Sequence, residues 1–220
     1  MEQGYLVNRF NWSLYLGLVA TVGAVTILAL PHSRRIGELR GAGPDLIPFF
    51  AGALLIVYGL FAVNLGQGER RWRGLFQDRF PQYLIHIAGQ LLLALSLVAP
   101  FWLMFKVLTY ATAGSLIWGG VYLFGYGFVL AVFGLLLGTF GAEIAQFQLK
   151  YLGFLAYLGG SFFWPPSSPF FNLVVLLKGT YPLRFVVGPL ILAALGGSLL
   201  LLTQRRIRLW RGSSNGAFRG

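Results

Sequence analysis

The chain has 220 residues, of which 57% are hydrophobic and only 10% charged, with a mean hydropathy of +0.72. A soluble domain carries roughly 25% charged residues, so water alone cannot be the solvent of this surface and lipid must supply the rest. The net charge is +11; the basic residues sit in short links between apolar runs, which fits a bilayer and excludes nucleic-acid binding.

The sequence has no cysteine, which excludes disulfides, thiolate metal sites and a cysteine nucleophile. Taken in order, residues 12–30 form the first apolar run, ended by Pro31. It lacks a small-residue cleavage site and is long enough to be retained as a helix. A loop from His32 to Asp45 carries Arg34, Arg35, Glu38 and Arg40, and a second span covers 46–65. A polar stretch follows, then a third span over 83–105 with His86 and Gln90 one turn apart. The fourth run, 111–140, is rich in glycine, which lets helix backbones approach closely in lipid. A fifth span is expected over 144–163, with Lys150 snorkelling towards the interface. Pro165, Pro166 and Pro169 break it. The apolar segment 170–177 is too short to cross, so a re-entrant or interfacial helix is expected there. The last span covers 182–202, and residues 212–220 read as a disordered tail.

The fold class is therefore an all-α polytopic membrane protein, a single transmembrane domain over 1–211 with six spans. Six spans place both termini on one side. If that side is the cytoplasm, eleven of the 17 Lys+Arg lie there, including Arg70, Arg71, Arg73 and Arg79 and the cluster from Arg205 to Arg211.

Between the second and third spans, Trp72, Leu75, Phe76 and Phe80 share one helical face, with Arg70, Arg71, Arg73 and Asp78 around the remainder. This reads as a short basic amphipathic helix on the inner membrane surface, resting on lipid or contacting a cytosolic partner. Trp164-Pro165-Pro166-Ser167-Ser168-Pro169 reads either as a wall of a substrate path or as an ordinary loop. His86 is expected to hydrogen-bond a neighbouring helix rather than to hold metal or haem. Glu143 is a candidate partner for Lys150. No G-x-x-x-x-G-K-[ST], H-E-x-x-H or G-x-S-x-G motif occurs, so neither a catalytic centre nor a cofactor is expected in this chain.

The order of these features resembles the permease subunits of exporter-type ABC transporters. The resemblance is carried by Glu69-Arg70-Arg71-Trp72-Arg73-Gly74-Leu75-Phe76 through Arg79, Pro81 and Tyr83. At the other end it is carried by Gly159-Gly160-Ser161-Phe162-Phe163, the proline-rich turn and Tyr181-Pro182. It implies a coupling helix made by Glu69, Arg70, Arg71, Trp72, Arg73, Leu75, Phe76 and Arg79 that docks on a separate ABC-type ATPase subunit. It also implies a homodimer or heterodimer of permease chains and a bacterial inner-membrane location. Phe162, Phe163, Trp164, Pro165 and Pro166 become candidates for the substrate path. The competing class is a non-catalytic accessory subunit of a respiratory or photosynthetic complex, in which His86 would be a possible pigment ligand.

Overall fold

The computed structural model describes residues 11–20, 23, 36–69, 80–109, 111–138, 143–160, 163–179 and 187–216. All regular structure among them is helical. Helix α1 covers 11–20, followed by α2 (Ile36–Glu69), α3 (Phe80–Thr109), α4 (Ala113–Leu137), α5 (Glu143–Gly160), α6 (Pro169–Leu177) and α7 (Val187–Gly216). A 3-10 turn, Pro165–Ser167, leads into α6.

Four of these helices, α2, α3, α4 and α7, are long and apolar enough to cross a membrane. At 1.5 Å per residue the 25 residues of α4 reach about 37 Å, beyond the roughly 30 Å of a hydrocarbon core, whereas the nine residues of α6 reach only about 13 Å. Large apolar side chains cover the outside: Ile85 on α3, Ile117 on α4, Leu152 on α5, and Leu190 and Leu201 on α7 are each more than 60% exposed. Such a surface is stable in lipid and not in water. The chain is thus a helical protein suited to a bilayer.

Helix α2 begins at Ile36, ahead of the expected span, and takes residues 36–45, expected as loop, into the helix together with Pro44 and Pro48. At the other end of the chain, α7 continues through residues 212–216, expected as tail. Helix α4 starts sharply because the Thr112 hydroxyl accepts the Ser115 N–H at 3.1 Å, satisfying one of the free donors of the first turn.

The core is the crossing of α2 on α4. About half of the apolar stretch of each is buried, against 22% in α3 and α7. Gly66 lies directly on the Ala131 carbonyl and Gly134 on the Val63 carbonyl, so a β-carbon at either would overlap the facing backbone. Gly127 gives the same room to the Tyr58 ring. The glycine run thus becomes a close backbone contact, as small residues do in lipid.

Contacts along the helices fix their directions. The Asn11 amide donates to the Phe61 carbonyl at 3.2 Å, while Val19 shares a small cavity with Phe50 and Leu54, so α1 and α2 are antiparallel. The Trp12 indole donates to Gln90 at 2.7 Å and the Tyr15 hydroxyl to the Ala94 carbonyl at 2.8 Å, so α1 and α3 are parallel. Gly59 faces Leu130 and Gly66 faces Leu135, so α2 and α4 are parallel. Gly59 also faces Phe154, whereas Asn64 takes Lys150, which turns α5 against α2. Leu192 meets Gly125 and Val129 meets Gly196, so α7 follows α4. Hence α1, α3 and α5 run one way, and α2, α4 and α7 the other. The start of α1, the end of α2, the starts of α3 and α5 and the end of α7 share one end of the bundle, called the near end below. Helix α6 lies at the far end.

Candidate functional site

At the far end, the chain leaves α5 and returns through an aromatic and proline-rich turn. Phe163 is 93% exposed and Trp164 53%, two aromatic side chains at the rim of the helical bundle, the position where such residues anchor a protein at a membrane interface. The turn below them is tightly tied. The Ser167 hydroxyl donates to the Trp164 carbonyl at 2.8 Å, and Ser168, fully buried, caps α6 by accepting the Phe171 N–H. Asn172 is 2% exposed and donates to both the Pro166 and Ser168 carbonyls, at 2.9 and 2.7 Å. These bonds give the proline turn the partners its own backbone cannot supply. Gly188 at the start of α7 leaves the space that the Asn172 amide fills. Helix α6 ends where Gly179 takes a φ of +68°, a left-handed cap that glycine adopts without strain, its N–H on the Leu176 carbonyl at 3.1 Å.

Of the residues expected in a substrate path, Phe163, Trp164, Pro165 and Pro166 therefore sit together on this turn; Phe162 lies outside the described residues. Phe170 and Leu177 hold α6 on the bundle, Phe170 against Gly52 of α2 and Leu177 with Trp102 against Gly119 of α4. The sequence pointed to the prolines and aromatics but not to Asn172. The legible signal was one amide within the apolar run Phe170-Phe171-Asn172-Leu173-Val174.

Arg70, Arg71, Trp72, Arg73, Leu75, Phe76 and Arg79 lie outside the described residues. Glu69 closes α2, and its side chain is likewise not described. Close by is a cluster the sequence did not reveal. Lys150, expected to snorkel outwards, is only 8% exposed and turns inwards. Its ammonium donates to Asn64 Oδ1 and, at 3.5 Å, to Gln67 Oε1, and it lies 5.1 Å from the Tyr151 ring. Asn64 and Gln67 are one turn apart on α2, a spacing that gives one cation two amide oxygens. A charge drawn into a helix seam rather than out to the headgroups is a functional candidate by default. The side chain of Glu143, the other expected partner of Lys150, lies outside the described residues.

His86 is exposed on α3, while Gln90 is committed to the Trp12 indole. No group of three or more metal-ligating side chains occurs among the described residues. No family model, curated protein or solved structure matches the chain.

Proposed function

We propose that this chain is the membrane-spanning permease subunit of an ATP-driven exporter, pairing with a second permease chain and driven by a separate ATPase subunit. The observation that carries this reading is the alternation of α1, α3 and α5 against α2, α4 and α7, with the short α6 held at the far end. With the apolar run 12–30 and α5 each counted as a crossing, the chain passes the bilayer six times. The arginine-rich link 70–79 then shares the near end with both chain termini. By the positive-inside rule that end faces the cytoplasm, in a bacterial inner membrane.

In this reading Glu69, Arg70, Arg71, Trp72, Arg73, Leu75, Phe76 and Arg79 form the coupling element. The ATPase, on binding ATP, draws two such elements together. The paired chains then open a path between them, and Phe162 to Pro166 form part of its outer wall. The chain supplies no catalytic group; hydrolysis belongs to the partner.

The test is coexpression with a candidate ABC-type ATPase subunit. Exchanging Arg70, Arg71 and Arg73 for Glu is expected to weaken co-purification by about tenfold or more, because like charges then face the docking surface, and to abolish stimulation of ATP hydrolysis. Unchanged binding and stimulation would assign the link to lipid contact alone. The competing reading, an accessory subunit of a larger membrane complex, draws on His86, exposed on the outer face of α3. It predicts co-purification with that complex and none with an ATPase.

A further inference from the structure

Two buried polar side chains, Lys150 and Tyr126, line one seam, between α2, α4 and α5. Lys150 occupies its near end, on the amides of Asn64 and Gln67. Four residues further along α5, Phe154 sits against Gly59. There Tyr126 of α4 points its hydroxyl at the same glycine. Tyr126 Oη lies 3.0 Å, and Leu130 Cδ1 3.1 Å, from where a side chain at Gly59 would begin. Tyr157 of α5 stacks on Tyr126, with ring centroids 6.3 Å apart and planes inclined by 21°.

Tyr126 is fully buried, and its hydroxyl has no hydrogen-bond partner among the described residues. This is not the habit of the fold. Tyr15 and Tyr58, equally buried, each give their hydroxyl to a carbonyl of α3. A donor left bare in a low-dielectric interior calls for a partner that comes and goes, either water or a ligand. Lys150 adds to the demand: an ammonium has three donors, and among the described residues two amide oxygens take two of them. The wall best placed to move is α5. It carries Leu149, Leu152 and Leu155 on its exposed side and meets α2 through Lys150 and Phe154.

The two donors are ordered in depth. The charged one is at the near end, and the neutral one lies about 6 Å deeper, four residues of helix. We propose that the α2–α4–α5 seam opens by displacement of α5 and binds an anionic molecule, with its charge at Lys150 and a neutral acceptor oxygen at the Tyr126 hydroxyl. A glycerophospholipid of net negative charge has this order, phosphate above and ester carbonyl below; a free phosphate has the charge alone. The site belongs to the bundle itself and does not depend on coupling to an ATPase.

The absence of cysteine makes the test direct. Leu130→Cys places a thiol beside the Tyr126 hydroxyl, and Val63→Cys places one in the tight α2–α4 contact as a buried control. The full chain in detergent is treated with a water-soluble maleimide. L130C is expected to react and V63C not to. Phosphatidylglycerol is expected to slow L130C about fivefold, the value of one good hydrogen bond, while phosphatidylcholine leaves it unchanged. Tyr126→Phe or Lys150→Gln in the L130C background is expected to remove that protection. Equal protection by inorganic phosphate would identify a free anion as the occupant rather than a lipid. An unreactive L130C, equal protection by both lipids, or protection that survives Y126F would overturn the proposal. Y126F removes only an unpartnered hydroxyl and folds as the parent does, so the result stands even if K150Q fails to fold.

Discussion

Gly66 and Gly134 occupy positions where the backbones of α2 and α4 touch, and a methyl group at either has no free volume to enter. Gly66→Ala must push the helices apart at the near end of the α2–α4 contact. The expected loss is about 1–3 kcal/mol, read as a lower unfolding midpoint in detergent. Gly120→Ala is the control: it lies on α4, the facing helix, with nothing within 4 Å of its new methyl group, and is expected to keep or raise the midpoint. Equal effects would mean that helix propensity, not the close contact, sets the stability. Asn172 carries a second residue-scale prediction. Asn172→Ala leaves the Pro166 carbonyl without its side-chain donor, while the Ser168 carbonyl keeps the backbone N–H of residue 172, and costs about 1–3 kcal/mol. Faster proteolysis within residues 163–168 would report it, and an unchanged cleavage rate would show the turn to be held by the Ser168 cap alone.

At the scale of elements, hydropathy located the helices because lipid demands long uninterrupted apolar stretches. It did not locate their ends. Pro44 read as a breaker in the loop and Pro48 as a first-turn residue, yet α2 starts at Ile36 and runs through both in its interior, where each lacks the N–H that would bond the carbonyl four residues back. The short helix α6 was legible from Pro169 and the length of the apolar run that follows, and Ser168 and Gly179 cap it at either end. The near-end cluster was not legible. Its partners, Asn64, Gln67 and Lys150, are more than 80 residues apart in sequence and meet only because α5 folds antiparallel onto α2. Periodicity shows which residues share a face of one helix; it does not show which helix that face will meet. The bare hydroxyl of Tyr126 was hidden for the same reason, because nothing in its own segment distinguishes it from Tyr58, which found a carbonyl.

At the scale of the whole molecule, every functional statement depends on the two ends of the bundle facing opposite sides of a membrane. The far end holds the proline turn and α6; the near end holds the end of α2, the start of α3 and the basic end of α7. Single cysteines in the otherwise cysteine-free chain test this directly with a membrane-impermeant maleimide on intact cells. Ser167→Cys and Lys178→Cys are expected to label from outside, and Asp78→Cys and Ser213→Cys only after the membrane is permeabilised. Labelling of all four from the same side, or of Asp78→Cys together with Ser167→Cys in intact cells, would contradict the alternating passage of the helices and remove the inner elbow on which the permease reading depends.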